Sequence, residues 1–520
     1  MHAPIAVLLL VACAQPPLKD PSPLPQQTTY YVDPAGNDVT GDGTREAPFR
    51  TIGAALIPDS VERIVVAPGR YAEAELALTK PLELFGPGDG QATLEGHLLI
   101  EGHDIVVHGL DVSKGAVILA SDEVSVNGAK ITTTSSYADA LLIERSRASL
   151  SELQLLCGLE TCLATRGSTV TGSKLAMTAE PVSKRVVRAT TSSVSLEQLD
   201  VVGGAIAQVQ AELATRLTLT GAKLTASNGN GLVALSRSRI SGKAVEVRGA
   251  RDSSLLVSTA EVSLAESTFG TTTSGLTIGV QGSIVALRTP SIEGSIYGAL
   301  SVGKYRTEPS NVEIEGGTIS VGGHTGLLLT AGRLKLSRVE IFGAETPSDN
   351  DAIVASSEES SLELVDTTIT HAGSWAIATR DSANLTIVGG RIVRPGQGGV
   401  LLDDSPGASI RIERLSIEEP VGASGIAVFG SRESTISGAR ITGAAEAGIL
   451  AGDGARVVVS DARIEANALY GIAAFGGSII ELSSSVVRGS PWAAFASCGD
   501  GSSIVDVGSN ELVGQTSLCP

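Results

Sequence analysis

Three short segments near the C-terminus repeat one pattern: Gly425-Ile426-Ala427-Val428, Gly448-Ile449-Leu450-Ala451 and Gly471-Ile472-Ala473-Ala474. Both spacings are 23 residues. A fixed period of this length indicates a repeat architecture, in which each unit stacks on the next one. Weaker copies of the segment continue in both directions, at Ala494-Phe495, Gly399-Val400, Ala376-Ile377, Ala352-Ile353, Gly326-Leu327, Gly298-Ala299, Gly275-Leu276, Gly231-Leu232, Cys162-Leu163 and Ala140-Leu141.

Between these segments lies a second strand-like element with its own aliphatic pair, as in Ile436 to Ile441 and Val459 to Ile464. Alternation at a period of two is typical of half-buried strands, and the Gly, Asn, Asp and Ser between them favour turns. One unit alone cannot bury its inward Ile and Val side chains, but stacked units share a continuous core. From residue 96 to residue 494 the period predicts an all-β solenoid of about 18 coils of about 23 residues.

The N-terminal part carries a more specific pattern. It reads YVDPAGND at residues 31–38, GDGT at 41–44, APFRTIGAAL at 47–56 and IVVAPGRY at 64–71. These motifs resemble the opening of secreted pectin-lyase-like β-helix proteins. The resemblance implies a single-stranded right-handed parallel β-helix with a short capping helix over residues 48–56, in which Ile52, Ala55 and Leu56 face the core. That family includes polysaccharide lyases, hydrolases and epimerases, but also adhesins and proteins of no known activity, so the fold does not decide the function.

The first residues predict export and a lipid anchor. An apolar run from Pro4 to Ala12 contains no charged residue and is too short to cross a bilayer as a helix. It ends in Leu10-Val11-Ala12-Cys13, which resembles a bacterial lipobox. That resemblance implies a signal peptide over residues 1–12, lipid attachment at Cys13 and contact with the membrane through the lipid alone. No Lys or Arg precedes the apolar run, and an ordinary signal peptide with an incidental cysteine is the alternative.

The rest of the chain divides into three further parts. Residues 13–29 are rich in proline, which predicts an extended tether. Residues 30–95 would form the N-terminal cap and first coils, and residues 96–520 the parallel β-helix with a C-terminal cap. We therefore expect a monomeric lipoprotein of a bacterial outer membrane, facing either the periplasm or the cell surface.

Cysteine usage agrees with an oxidising compartment. Apart from Cys13, the four cysteines form two local pairs, Cys157 with Cys162 and Cys498 with Cys519, although four cysteines allow three connectivities. An oxidising periplasm or cell surface would allow both disulfides, and buried free thiols are the alternative. Zinc is disfavoured because no other His or Cys pair supplies the second half of a site.

Charge restricts the class of partner. The formal net charge of −18 argues against nucleic acid, because phosphate binding depends on clustered Lys and Arg. It also disfavours polyanionic glycans unless Ca²⁺ or a local basic patch intervenes. Asn37, Asp38 and Asp42 could ligate Ca²⁺ through oxygen atoms, with local turn capping as the alternative. No other cofactor is predicted.

The repeat places carboxylates on one face. Asp381 and Asp404 each follow their repeat segment by five residues, so they should lie about one rung, roughly 4.8 Å, apart. Arg380 would then stack against Asp403. Paired carboxylates can divide the roles of acid and base in glycoside hydrolysis. Turn residues and a surface ladder of ion pairs are the simpler interpretation.

Three aromatic residues, Tyr297, Trp375 and Tyr470, each precede the first residue of a repeat segment and should therefore share one lateral face. Exposed rings in a row would suit stacking on sugars, whereas rings packed under long loops would not. We therefore predict a non-catalytic, surface-displayed lipoprotein that presents the β-helix to a glycan or to an envelope or surface protein. The alternative is a polysaccharide hydrolase or lyase that works near Asp381, Asp403 and Asp404.

Overall fold

The structure is a computed structural model. It describes residues 28–133, 139–270, 272, 274–322, 325–343, 350–403, 407–430, 433–499 and 501–514, together with the backbone of 516–518. Within these ranges the chain forms β-strands and turns and one short helix, Ile52–Leu56. Within these ranges we find no helix that could span a bilayer.

The strands stack into three parallel ladders that run the length of the molecule, as the repeat predicts. In the described residues the first ladder contains the strands Glu75–Leu78, His97–Ile100, Val117–Leu119, Leu141–Glu144, Thr161–Arg166, Arg185–Thr190, Ala207–Glu212, Asn230–Leu235, Leu255–Ser258, Ile278–Gln281, Leu300–Gly303, Leu327–Leu329, Ile353–Ser356, Ile377–Arg380, Val400–Leu402, Ile426–Phe429, Ala447–Gly452, Tyr470–Phe475, Ala493–Cys498 and Thr516–Leu518.

The second and third ladders follow the first in each coil, and a tight turn separates them. The second ladder contains the strands Thr29–Val32, Arg63–Val66, Leu82–Phe85, Ile105–His108, Val124–Asn127, Arg147–Ser151, Thr169–Ala179, Ser193–Val202, Arg216–Thr220, Arg239–Lys243, Glu261–Ala265, Ile284–Arg288, Ser310–Glu315, Gly332–Ser337, Ser360–Val365, Asn384–Val388, Ile410–Glu413, Ser434–Ser437, Arg456–Ser460, Ile479–Ser483 and Ser503–Gly508. The third ladder shares Thr169–Ala179 and Ser193–Val202 with the second and adds Gly69–Tyr71, Ala92–Glu95, Asp111–Ser113, Lys130–Thr132, Gln154–Cys157, Lys223–Thr225, Glu246–Arg248, Thr268–Phe269, Ser291–Glu293, Thr318–Ser320, Glu340–Phe342, Thr368–Thr370, Arg391–Val393, Ser416–Glu418, Arg440–Thr442, Arg463–Glu465, Val486–Arg488 and Glu511–Val513.

The register of the first ladder confirms the period read from the sequence. Ile426 pairs with Ile449, and Ile449 pairs with Ile472, each one coil further along. From His97–Ile100 to Ala493–Cys498 the ladder contains 18 strands in the described residues, in agreement with the predicted number of coils. The chain is therefore a parallel β-helix.

A single aliphatic core fills the centre of the solenoid. In one coil it takes Ile426 from the first ladder, Ile436 from the second and Ile441 from the third, and all three are fully buried. Each such side chain contributes roughly 1.5–3 kcal/mol by leaving water. Because the same three positions are filled by Val, Ile or Leu in most coils, the core is continuous.

The capping helix closes the N-terminal end of this core. Thr51 caps it, with its hydroxyl accepting a hydrogen bond from the backbone N–H of Ala54 at 3.2 Å. The carboxylate of Glu73 accepts from the N–H groups of Ile52 and Gly53 at 2.7 and 2.8 Å. Negative charge at a helix N-terminus is favourable. Ile52 and Ala55 are buried and Leu56 packs against the core, as predicted.

Two coils depart from the predicted register. In the first ladder Ile278 pairs with Leu300. The segment expected at Gly275-Leu276 was therefore placed two residues too early. The segment expected at Gly298-Ala299 was placed one residue too early. A tight turn explains the second shift: Ser295 and Gly298 form an isolated antiparallel bridge before the strand begins. Gly298 has a φ of 126°, a value that glycine tolerates well.

One of the expected disulfides lies within the described residues. Cys157 and Cys162 are bonded, with their Cα atoms 5.2 Å apart, and both side chains are buried. Cys498 ends the strand Ala493–Cys498 and is also disulfide-bonded. Cys519 lies outside the described residues, as do Cys13 and the predicted signal peptide, so these parts of the prediction stay predictions.

Candidate functional site

A second apolar cluster lies outside the core, on the outer face of the first ladder. Successive residues of a strand point to opposite sides of a sheet. Ile426 and Val428 belong to the core, whereas Ala427 between them belongs to the outer cluster. We call this cluster the aromatic strip; its members are the buried Ala427, Ala447, Leu450, Ala473 and Ala496 and the partly buried Trp375, Leu401, Phe429, Tyr470, Phe475 and Cys498.

Two rings of the aromatic strip lie against glycines of the following coil. The indole ring of Trp375 covers Gly398, where an added Cβ would collide with the ring. The ring of Phe429 covers Gly452, where a Cβ would lie 2.6 Å from ring atoms Cδ1 and Cε1. Phe429 and Gly452 are also register partners in the ladder. Glycine at these positions therefore lets the rings pack closely on the sheet.

A buried carboxylate holds the backbone of Trp375. Asp351 lies one coil earlier and is 6% exposed. Its Oδ1 accepts a hydrogen bond from the N–H of Trp375 at 3.0 Å, and its Oδ2 accepts one from Nη2 of Arg380 at 3.3 Å. Charge-assisted hydrogen bonds of this kind compensate for burial of the carboxylate. Arg380 therefore has a positioning role at the edge of the strip.

The structure brings together two of the three predicted stacking residues. Trp375 lies two positions before the first-ladder residue Ile377, and Tyr470 lies two positions before the first-ladder residue Ile472. Both aromatic residues belong to the aromatic strip. Tyr297 lies three positions before its ladder residue Leu300, and it is 51% exposed in the turn described above. The shared face expected for all three residues therefore holds for Trp375 and Tyr470.

The strip suits binding rather than proton transfer. Its members include no carboxylate and no Lys, Arg or His. Five of its members are buried, and the rings of Trp375, Phe429, Tyr470 and Phe475 are partly buried against them, so the accessible apolar surface of the strip is aromatic. Partly exposed aromatic rings offer large apolar faces to a ligand, and the tyrosine adds a hydroxyl at its rim.

The predicted acidic pair lies in exposed turns at the end of first-ladder strands. Asp381 is exposed and has a φ of 51°, which is typical of a turn residue. The N–H of Asp403, also exposed, donates to the carbonyl oxygen of Thr379 at 2.9 Å, so the two turns are neighbours. Asp404 lies outside the described residues. Arg380, which was expected to stack against Asp403, forms an ion pair with Asp351 of the preceding coil.

The predicted calcium ligands take part in turns of the chain itself. Asn37 Oδ1 accepts from the N–H groups of the residues two and three positions later, at 2.8 and 3.1 Å. Asp42 Oδ1 accepts from the N–H and hydroxyl of Thr44 at 3.0 and 2.7 Å. Burial alone would raise the pKa of Asp38, but hydrogen bonds from Thr51 and Arg50 lower it. Over the described residues no three His, Cys, Asp or Glu side chains are grouped to hold a metal ion.

Sequence reasoning missed a second acidic position on another face. Asp111 is 8% exposed and lines an open groove of about 630 Å³ together with Asp89, Lys130 and Glu152. Burial raises the pKa of the Asp111 carboxyl, although its Oδ1 accepts from the N–H of Lys130 at 2.8 Å. No pattern in the sequence marks this aspartate, because its burial results from stacking of neighbouring coils.

Comparison with protein families divides the chain into two matched parts. Residues 351–516 match the family model described as the right handed beta helix region. Residues 34–155 match a family model described as a protein of unknown function, DUF1565. No curated protein matches the chain.

Three solved structures are similar to the chain at low sequence identity. The periplasmic alginate epimerase AlgG is 11% identical, with 54% of this chain and 76% of that chain covered and a TM-score of 0.32. The pectate lyase Pel9A is 11% identical, with 50% and 75% covered and a TM-score of 0.27. The A-module of the Azotobacter vinelandii mannuronan C-5 epimerase AlgE6 is 12% identical, with 71% and 92% covered and a TM-score of 0.26. On its ladders and its match over residues 351–516, the chain is a right-handed parallel β-helix protein.

Proposed function

We propose that the protein is a non-catalytic lipoprotein that presents its β-helix surface to a glycan, with the aromatic strip as the binding face. The observation that supports this proposal is the packing of Trp375 on Gly398 and of Phe429 on Gly452, which keeps two rings along one face of stacked coils. Neighbouring rungs are spaced by about 4.8 Å, so the face suits an extended chain of sugars that follows the axis of the solenoid.

A panel of immobilised polysaccharides tests this proposal. The full chain should be retained on at least one neutral or acidic glycan, and Trp375→Ala should abolish that retention. Trp492→Ala is the matched control, because Trp492 is 66% exposed and is not part of the strip. Retention that survives Trp375→Ala, or absence of retention on every glycan, would exclude the strip as a glycan face and would favour a protein partner.

The alternative is a carbohydrate-active enzyme that works near Asp381, Asp403 and Asp404. This alternative is supported by one observation: Asp381 and Asp403 are both exposed, and they lie on neighbouring turns. Assays for new reducing ends and for unsaturated products, with and without Ca²⁺, separate the two proposals. Turnover that is lost in Asp403→Asn or Asp404→Asn would establish the enzyme. Retention without turnover supports the binding protein.

Anchorage at Cys13 is a separate part of the proposal. We expect the protein to fractionate with the outer membrane of a bacterial host and to carry acyl chains on the cysteine, because lipid chains alone can hold it there. Mass spectrometry of the N-terminal peptide tests this directly. Release of Cys13→Ala into the soluble fraction supports the lipid anchor, and membrane association of that variant would contradict it.

A further inference from the structure

A groove lies on a different edge of the solenoid, between the first and second ladders. It has a volume of about 1210 Å³ and extends over five coils between Leu213 and Pro309. Its floor is the first outward column of the second ladder, in which Arg216, Arg239, Glu261 and Ile284 are successive register partners. The groove contains no member of the aromatic strip.

One wall of the groove is a row of tight turns. Leu213 and Ala214 have φ values of 54° and 61°, and Ser236 and Arg237 have values of 52° and 63°. Non-glycine residues in the left-handed region are uncommon, and a bulky leucine there is strained. These turns nevertheless point Leu213 outward, where it is 53% exposed. The backbone therefore holds an apolar side chain in water at the edge of the groove.

A hairpin closes one end of the groove. Tyr305 and Glu308 form an isolated antiparallel bridge, with two backbone hydrogen bonds of 3.0 Å between them. The ring of Tyr305 is reached by the guanidinium of Arg306, whose Cζ lies 5.6 Å from the ring centroid. Tyr305 is 40% exposed. This hairpin adds an aromatic ring and a cation to the groove.

Positive charge in the groove is only partly neutralised. Arg239 forms an ion pair with Glu261, with its Nη2 2.6 Å from Oε2. Across the described part of the chain, Arg216, Arg237 and Arg306 form no ion pair with a carboxylate. Four arginines and two glutamates, Glu261 and Glu308, line the groove, so in a protein of net charge −18 it is a local surface with an excess of positive charge. Guanidinium groups bind carboxylates in a bidentate manner, and such complementarity gives specificity.

The apolar side chains decide between the kinds of acidic ligand. Ile284 on the floor is 55% exposed and Leu213 on the wall is 53% exposed. A sugar chain offers few apolar groups to cover them, whereas a peptide can offer aliphatic side chains between its acidic ones. We infer that this groove binds an extended acidic segment of a partner protein in which carboxylate and aliphatic side chains alternate. The inference goes beyond the proposed function, because it concerns a different face.

Fluorescence anisotropy tests this inference with labelled peptides of about ten residues and the full chain. A peptide of alternating Glu and Leu should bind, and one of alternating Gln and Leu should bind at least about tenfold more weakly, because the charge is lost. The double variant Arg216→Gln with Arg237→Gln should weaken binding of the Glu and Leu peptide at least about tenfold. Arg440→Gln is the matched control, because Arg440 is exposed on the third ladder and should leave binding unchanged.

Several results would overturn the inference. Equal binding of a polyglutamate peptide would remove the role of the apolar side chains. Binding that is unaffected by the double variant, or weakened equally by Arg440→Gln, would place the peptide elsewhere. Binding of an oligomer of uronic acids in the absence of peptide binding would make the groove a glycan site. Trp375→Ala should leave the peptide affinity unchanged, which separates failure of this inference from failure of the proposed glycan face.

Discussion

The ring of Phe429 packs directly against Gly452 of the next coil, where an added Cβ would lie 2.6 Å from two ring atoms. The third nearest atom to that Cβ position also belongs to the Phe429 ring, at 3.8 Å. A substitution at Gly452 therefore acts on the aromatic strip and spares the core.

We predict that Gly452→Ala displaces the Phe429 ring and weakens glycan binding several-fold. The melting temperature should change little, because a ring at the surface can move. Isothermal titration with the retained glycan, together with thermal unfolding, measures both quantities. Wild-type affinity in Gly452→Ala would show that the position of Phe429 is irrelevant to the ligand.

Inward and outward aliphatic residues should differ strongly in their contribution to stability. Ile449 is fully buried in the core, and its truncation in Ile449→Ala should lower the free energy of unfolding by about 2–5 kcal/mol because it leaves a cavity. Ile479 is 36% exposed on the outer side of the second ladder. Ile479→Ala should cost less than about 1 kcal/mol. Denaturant unfolding that gave equal losses for both variants would argue against the assigned strand faces.

The disulfide between Cys157 and Cys162 should contribute modestly. It closes a short loop, with a sequence separation of 5 residues. A cross-link that closes a short loop removes less conformational entropy from the unfolded chain than one that closes a long loop. We expect replacement of both cysteines by alanine to lower the free energy of unfolding by about 2 kcal/mol. Denaturant unfolding of the double variant beside the oxidised wild-type protein measures this loss. An unchanged free energy of unfolding would indicate that the bond does not form or constrains nothing.

Asp111 should make stability depend on pH. Burial raises the pKa of its carboxyl in the folded state above the unfolded value, so the folded state holds the proton more tightly. The destabilisation is absent below the unfolded pKa, grows as pH rises towards the folded pKa and is complete above it. Asp111→Asn should therefore raise the melting temperature at pH 7 and have little effect near pH 4, close to the ordinary aspartate pKa. A larger gain at the lower pH would reverse this sign.

The sequence predicted the fold well because the solenoid is built from a local rule. Ile426, Ile449 and Ile472 recur at one spacing, and the register pairs them as expected. The predicted register was wrong where a turn contains extra residues, as it does before Leu300. The repeat spacing cannot reveal the β-bridge between Ser295 and Gly298 that forms this turn. The position of Tyr297 was wrong relative to Trp375 for the same reason.

The candidate site was predicted only in part. Phe429 and Phe475 each follow the glycine of their repeat segment by four residues. The repeat spacing that identified Tyr470 could therefore have identified both phenylalanines. Asp351 left no comparable signal, since its burial and its hydrogen bond to Trp375 depend on contacts between coils. The ion pair of Arg380 with Asp351 likewise could not be read from the sequence, because it joins side chains of two neighbouring coils.

The fluorescence of Trp375 tests the proposed binding face most directly. The chain has two tryptophans, so the variant Trp492→Phe leaves Trp375 as its only one. On addition of the retained glycan, the emission of this variant should shift to shorter wavelength and become less accessible to acrylamide, because the sugar covers the ring. Retention of the glycan with unchanged emission and unchanged quenching of Trp375 would contradict the account.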